Sequence, residues 1–120
     1  MAMRLAVLIG LMVPGIAHAA GPTYLACTID TATGPVAINL TVDDVSRSVF
    51  YEAPATGFAS RRSATFLPDK IVFEVPLTVG AAEFAVSRTD LTITRTVTAN
   101  RTPGVDQGKC TRQKPAKRAF

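Results

Sequence analysis

Two cysteines are the residues of this chain with the widest range of chemistry, and they stand far apart. Cys27 lies inside "YLACTID", a stretch typical of a β-strand, and Cys110 lies close to the other end. A cysteine can carry a lipid, attack a substrate, bind zinc or form a disulfide. A lipid anchor would follow directly on an apolar leader, and a reactive thiol needs an electropositive setting with a base. We therefore predict a Cys27–Cys110 disulfide, with a lipid anchor at Cys27 as the alternative.

The start of the chain has the pattern of a secretory signal peptide, which supports this pairing. Within residues 1–19, Arg4 precedes an apolar run at 5–13, and "AHA" matches a cleavage site. The apolar run is short for a membrane span, so we expect no transmembrane segment in the mature chain, 20–120. The mature protein would be periplasmic or secreted, in an oxidising compartment where paired cysteines form disulfides.

Removal of the leader would leave the protein without histidine, because His18 is the only one. Without imidazole there is no Ser-His or Cys-His pair and no common transition-metal ligand. We expect no catalytic residue, metal or cofactor, and therefore an exported non-catalytic binding or structural module. The rival is a carboxylate-based hydrolase, which would need two acids in one concave pocket. The candidates for such a pair are Asp30, Glu52, Glu74, Glu83 and Asp90.

Apolar and polar residues alternate through the mature chain, which predicts β-strands. "VAINLTV" (36–42) and the following "SVFYE" form one predicted hairpin, with Asp43-Asp44 in its turn. "SATFLPDKIVFEV" (63–75) and "EFAVSRTDLTITRTV" (83–97) are two more. The predicted inward-facing side chains are Ile38, Leu40, Ile71, Phe73, Phe84 and Ile93.

Sequential hairpins of about seven or eight short strands, stapled by the disulfide, predict a small all-β fold. A rolled sheet or a small antiparallel barrel leaves few strand edges exposed. Side chains fill the interior of an eight-stranded barrel, so we expect no large enclosed ligand cavity. Residues 20–111 form a single predicted domain that ends in a short strand at "GKCTR". Irregular stretches are predicted at 30–35, 53–61 and 99–108.

Positive charge is concentrated at the C-terminus. From Lys109 onward there are five Lys and Arg residues and no acid, whereas all nine acids lie before it. Residues 112–120 combine high charge, a proline and little apolar content, which predicts a basic disordered tail. Its partner-binding candidates are Lys114, Lys117 and Arg118. We expect them to bind an anionic envelope polymer, lipid head groups or an envelope protein, or simply to keep the chain soluble.

Three other polar features each have two interpretations. Arg61 and Arg62 follow a Gly- and Ala-containing stretch, where they could hold a carboxylate or phosphate or stay solvated. Alternate threonines at 92–98 favour the solvent face of a strand over a binding surface, which would need threonine rows on several strands. Arg95 falls on the apolar face of that strand, so we expect it either to reach water at a barrel end or to pair with an acid.

The layout resembles small exported proteobacterial two-cysteine β-proteins of uncharacterised function. The early strand cysteine, "FLPDKIVFE", "SRTDLTITR" and the late "GKC" carry the resemblance, which covers most of residues 24–111. It implies the small β fold and no particular activity. More weakly, the "YLAC" start and the distant second cysteine resemble the envelope C-type lysozyme inhibitors. That resemblance implies a hydrolase inhibitor with an exposed loop at 53–61 and Thr56-Gly57 in the inhibitory position.

Overall fold

A computed structural model of the chain describes residues 21–99 and 102–114. The predicted signal peptide, Lys117 and Arg118 lie outside these residues. No helix in the described part of the chain is long and apolar enough to cross a membrane. Its eight strands are β1 Thr23–Thr31, β2 Gly34–Asp43, β3 Ser48–Ala53, β4 Phe58–Phe66, β5 Lys70–Pro76, β6 Ala81–Ser87, β7 Thr92–Ala99 and β8 Thr102–Gln113.

The sheet closes on itself. Each strand pairs antiparallel with its neighbours in the chain, and β8 returns to pair with β1. Sequential pairing follows from the short connections, since consecutive antiparallel strands usually lie side by side. Closure leaves little free strand edge, although β4 pairs with β5 only over 64–66 and 71–73, so residues 58–63 of β4 lack a partner on that side. The prediction of a small antiparallel all-β barrel is confirmed.

Period-two alternation decides which side chains fill the barrel. On β5, Ile71, Phe73 and Val75 are buried, whereas Glu74 is exposed. Phe73 stacks on Phe84 with ring centroids 5.0 Å apart, in the middle of the core. All the predicted inward-facing side chains are buried: Ile38, Leu40, Ile71, Phe73, Phe84 and Ile93. Burial of each large apolar side chain contributes roughly 1.5–3 kcal/mol, so this core is the main source of stability.

The disulfide lies at the seam where the barrel closes. Cys27 on β1 and Cys110 on β8 are direct cross-strand partners, with Cα atoms 3.9 Å apart. The Cys110 N–H donates to Leu91 O (2.8 Å), away from β1. The cysteines therefore form a non-hydrogen-bonded pair, in which facing side chains approach most closely. The predicted Cys27–Cys110 disulfide is confirmed, and it is compatible with an extracytoplasmic location.

The closing strand differs from its prediction. The expected irregular stretch at 99–108 and the short strand after it are both wrong, because β8 runs for 12 residues to Gln113. Gly and Pro lower strand propensity in this stretch. However, the closing strand must pair with both β7 and β1, and these two ladders outweigh local preference. Gly108 meets a specific need, since a Cβ at this position would overlap the carbonyl oxygen of Thr28 on β1.

The other two predicted irregular stretches are mostly strand as well. β1 continues to Thr31 and β2 starts at Gly34, while β4 starts at Phe58. Gly34 and Gly57 have φ values of 121° and 76°, which glycine adopts without steric cost. Tight turns thus stand where the sequence predicts longer loops.

The two ends of the barrel carry different parts of the chain. The terminal end, as we name it, carries Gly21 and Lys114, which are the first and last described residues. Its turns are 44–47, 67–69 and 88–91. The turns of the opposite end, the far end, include 32–33, 54–57 and 77–80.

Candidate binding site

The terminal end of the barrel opens into a concave cavity of about 760 Å³, the terminal cavity. This volume falls within the range of small-molecule pockets, roughly 300–1,000 Å³. Its apolar wall consists of Leu25, Val42, Phe66, Ile71, Val86 and Leu91. One side of the cavity is open to solvent, so it differs from the enclosed cavity that the sequence argues against.

Strand register brings this wall together from distant parts of the chain. Thr23 and Leu25 are successive inward positions of β1, and both line the cavity. Ile71 on β5 lies between its cross-strand partners, Phe66 on β4 and Val86 on β6. Two successive inward positions are about 7 Å apart along a strand, which gives the depth of the cavity along β1.

Two arginines flank the Phe66 ring at the rim. The guanidinium carbons of Arg47 and Arg88 lie 6.0 and 5.9 Å from the ring centroid, within the range of cation–π attraction. Arg88 also donates from Nη1 to Leu67 O (3.0 Å), and its backbone N–H donates to Asp69 O (2.8 Å). These contacts tie two neighbouring turns together and hold the Arg88 guanidinium beside the cavity, which it lines.

The turn that carries Arg88 ends in an unusual conformation. Leu91 has a φ of 61°, which is strained for a large branched side chain. Its N–H donates to Ser87 O (3.1 Å), and its carbonyl oxygen accepts the Cys110 N–H (2.8 Å). These two hydrogen bonds hold the strained residue in place, with its side chain packed against the core at the cavity wall.

Arg112 supplies a second cation to the cavity. It occupies an inward position of β8, opposite Leu25, and it is exposed at the rim. Among the described residues that line the cavity, Asp44 is the one acid. The lining therefore has an excess of positive charge.

Two more carboxylates at the terminal end accept hydrogen bonds from residues close to them in the chain. Asp43 Oδ1 accepts the N–H groups of Val45 (3.0 Å) and Ser46 (3.2 Å), and the hydrogen bond from Ser46 is the main cause that lowers the pKa of Asp43. Hydrogen bonds from the backbone and side chain of Thr92 lower the pKa of Asp90 to about 2. Both carboxylates are ionised at neutral pH, and neither lines the cavity.

The half of the barrel toward the far end contains an ion pair among apolar inward side chains such as Val75 and Phe84. Arg95 Nη2 lies 2.7 Å from Asp106 Oδ2 on the neighbouring strand, so of the two alternatives expected for Arg95 the structure shows pairing with an acid. The Nε of Arg95 is buried and makes no hydrogen bond to any residue that the structure describes. Burial raises the pKa of Tyr51, and the positive charge of Arg95 opposes that shift.

Arg61 and Arg62 lie inside β4 rather than at the end of a loop, and they face opposite sides of the barrel wall. Arg61 faces outward, donates to Ser48 Oγ (3.3 Å) and lies over the Phe50 ring. Arg62 faces inward and donates from Nε to Glu74 O (2.9 Å). The two guanidinium groups therefore cannot bind one ligand together.

The candidates in the basic C-terminal segment are only partly described. Lys114 follows β8 at the terminal end and is exposed, and Lys117 and Arg118 lie beyond the described residues. β8 itself runs two residues past the predicted domain boundary at 111, so Arg112 belongs to the barrel. The start of the basic segment is thus placed beside the rim of the terminal cavity.

The acids considered for a hydrolase do not meet in the terminal cavity. None of Asp30, Glu52, Glu74, Glu83 and Asp90 lines it. Glu74 and Glu83 are direct cross-strand partners, but on the convex outer face. Across residues 21–99 and 102–114, no three His, Cys, Asp or Glu side chains are grouped to hold a metal ion.

Comparison with known proteins yields no relative. The chain matches no protein-family model, no curated protein and no solved structure. The interpretation of the terminal cavity therefore depends on the geometry of this chain.

Nothing in the alternation pattern marks the terminal cavity, because its apolar residues have the same spacing as the rest of the core. One signal for Arg112 is present in the sequence. Arg112 is two residues after Cys110, so a strand that continues past the disulfide places both on the inner face. The prediction missed this because it began the disordered tail at 112 and so separated Arg112 from the strand of Cys110.

Proposed function

We propose that this chain is an exported, non-catalytic binding module of the bacterial envelope, periplasmic or secreted, whose terminal end binds anionic partners. The terminal cavity is the observation that carries the proposal. It is an apolar wall that the described chain leaves uncovered, with Arg88 and Arg112 at its rim. A concave apolar site with a few fixed polar groups is the usual form of a ligand site, and the mouths of β-barrels are common places for one.

The distribution of charge supports anionic partners. Lys114 lies at the terminal end, and the chain continues with Lys117 and Arg118 and no further acid. These residues follow Arg112 directly, so positive charge collects at one end of the molecule. Such clustered charge attracts anionic polymers and head groups, and salt screens the attraction beyond about 10 Å at ~0.1 M.

The side chains favour binding over catalysis. After removal of residues 1–19 as a signal peptide, the chain contains no histidine. None of the five candidate carboxylates lines the terminal cavity, and Glu74 and Glu83 meet on a convex face without a cleft for a substrate. A glycosidase needs its two carboxylates on either side of the scissile bond, and this arrangement does not offer that geometry.

Co-sedimentation with vesicles tests the proposal. The mature chain 20–120 is mixed with vesicles of phosphatidylglycerol or of phosphatidylcholine, at low and at high salt. We expect it to sediment with the anionic vesicles at low salt and to be released at high salt. A chain that ends at Lys114 keeps β8 complete and should bind less. Equal sedimentation with both lipids, or with neither, would contradict the proposal.

A second candidate function is inhibition of a hydrolase, and the turn at 54–57 is the observation that favours it. The backbone N–H groups of Thr56 and Gly57 both donate to Ala53 O (3.1 and 2.9 Å), which makes an exposed turn rigid. Exposed Phe58 follows it directly. If this turn is inhibitory, the protein should slow cell-wall lysis by a C-type lysozyme, and Thr56→Ala should weaken the effect. Unchanged lysis with excess protein removes this candidate.

A further inference from the structure

The terminal cavity also indicates the class of its ligand, given the proposed function of the terminal end. We infer that it binds a single-chain amphiphile with an anionic head group, such as a fatty-acid anion or a single-chain phospholipid. The apolar wall takes the chain, and Arg88 and Arg112 bind the head group.

The shape of the cavity suits one apolar chain entering end-on. Its wall is formed by inward-facing side chains on several sides, and Leu40, fully buried next to Leu25, closes the core beneath it. The depth of about 7 Å along β1 covers the end of a chain and leaves the rest at the opening. The polar lining residues Thr23, Ser87 and Thr89 lie at strand ends or in a turn, near the opening, so the deeper wall offers a sugar polymer few polar partners.

The rim suits a negative head group. Arg88 is pre-oriented by its hydrogen bond to Leu67 O and by the Phe66 ring, so binding costs it little side-chain freedom. Arg112 lies on β8, which pairs with β7, the strand that follows the turn of Arg88. Guanidinium groups donate in a fork that matches carboxylate and phosphate oxygens. Asp44 is the acid in the lining, and its negative charge repels an anionic head group.

Binding of matched ten-carbon probes below their micelle concentrations tests the inference. The probes are decanoate, decanol and decyltrimethylammonium, titrated into the mature chain 20–120. Methyl NMR shifts report the position of the probe, since Leu25 and Val42 line the cavity whereas Leu77 and Val79 are exposed at the far end. We expect shifts at the cavity methyls alone, and decanoate should bind about tenfold more tightly than decanol.

Charge variants separate the head-group site from general electrostatic attraction. Arg112→Gln should weaken decanoate binding about fivefold and leave decanol unchanged. Lys109→Gln is the matched control, because Lys109 lies three residues earlier on the same strand, is exposed, and faces outward. Arg88→Gln should act like Arg112→Gln, and Asp44→Asn should strengthen decanoate binding. Equal losses for Lys109→Gln and Arg112→Gln would overturn the inference.

Chain length provides a test without any substitution. Affinity should rise by about fourfold per methylene from propanoate upward and then level off when the chain outgrows the cavity. A steady rise up to tetradecanoate would indicate non-specific association and overturn the inference. A lysophosphatidylglycerol of matched chain length is a second anionic probe. Tighter binding of either anionic probe than of decanol supports the inference. The tighter of decanoate and the lysophosphatidylglycerol identifies the source of the ligand as a free fatty acid or a membrane lipid.

Other occupants of the cavity give distinct results that contradict the inference. If only the chain ending at Lys114 binds decanoate, the C-terminal segment fills the cavity. If decanoate binds only on dilution from a dimer, a second copy covers it. If all three ten-carbon probes bind equally, the arginines do not hold a head group. That last result leaves the vesicle experiment, and with it the proposed function, unaffected.

Discussion

Arginine side chains have different surroundings at the terminal end and in the far half of this barrel. In the far half, Arg95 points inward and is neutralised by Asp106 at 2.7 Å. At the terminal end, Arg88 and Arg112 line an apolar cavity that contains one acid, Asp44. The far half therefore contains a closed polar contact inside a filled interior, whereas the terminal end leaves both apolar surface and positive charge available.

This difference separates a structural role of arginine from a binding role. A partly buried charge costs free energy unless an opposite charge offsets it, so the Arg95–Asp106 pair contributes to the fold and has little left for a ligand. Arginines at the rim remain hydrated, so they lose little hydration free energy on folding. The same residue type thus indicates function only where the fold leaves it without a carboxylate partner beside an uncovered apolar wall.

The largest expected effect comes from the disulfide, which supports both regions. The Cys27→Ser/Cys110→Ser variant should lose about 3–4 kcal/mol of unfolding free energy, because the bond closes a loop with a sequence separation of 83. Urea unfolding of the oxidised wild type and the variant measures the loss. In Cys27→Ser alone, Cys110 should become titratable by a thiol reagent. An unchanged urea midpoint would show that the barrel seam holds without the bond.

The ion pair of the far half should give the next largest effect. Asp106→Ala leaves the Arg95 charge unpaired, and since both side chains are about one quarter exposed (24% and 23%), the loss should be about 2 kcal/mol. Urea unfolding measures it, and Arg95→Met added to Asp106→Ala should recover part of the stability. Decanoate affinity should not change. A loss of affinity in a folded Asp106→Ala protein would contradict the division between the two regions.

Relief of a like-charge pair on the outer wall should stabilise the barrel slightly. Glu74 and Glu83 face each other directly across β5 and β6, and like charges in this position repel. Glu83→Lys should raise the unfolding free energy by about 0.5 kcal/mol, with Glu83→Gln giving a smaller gain. Thermal unfolding of the three proteins measures the order. A destabilised Glu83→Lys protein would show that this repulsion is absent.

Acid should reveal the smallest effect, at Asp90 of the terminal end. Its pKa in the folded protein is about 2, below the ordinary value of 3.8, because of hydrogen bonds from Thr92. The ionised form therefore stabilises the fold above about pH 4, and this contribution is lost as the pH falls toward 2. The carboxylate is exposed, so the effect is small. Stability of Asp90→Asn and wild type should converge over this range, and a constant difference would contradict the assignment.

Much of the architecture could be predicted because it depends on local pattern. Alternation placed Ile71, Phe73 and Phe84 inside, and each of the two cysteines had one possible partner in the chain. The predicted irregular stretch at 99–108 failed for a physical reason: Pro103 and Gly104 are poor strand residues, but β8 pairs on both sides. Non-local hydrogen bonds outweighed local propensity at that point.

The candidate site was beyond prediction from these patterns. Arg61 and Arg62 stand together in the sequence but face opposite sides of β4. Arg88 and Arg112 are far apart in the sequence but line the same cavity. Arg61 and Arg62 were candidates because they are adjacent in the chain. Arg88 and Arg112 line one cavity because of the strand register around the whole barrel.

The sequence by itself determined where β2 to β7 lie, apart from their ends, the facing of most side chains and the disulfide. Period-two alternation is visible within a short segment, and two cysteines have one possible pairing. Only the tertiary structure decided that the interior is filled in the middle and left open at the terminal end. That outcome depends on the summed volume of inward side chains from many strands at one level of the barrel. No single strand carries this information, since Leu25, Val42 and Val86 look like any other core residues until the register places them around the terminal cavity.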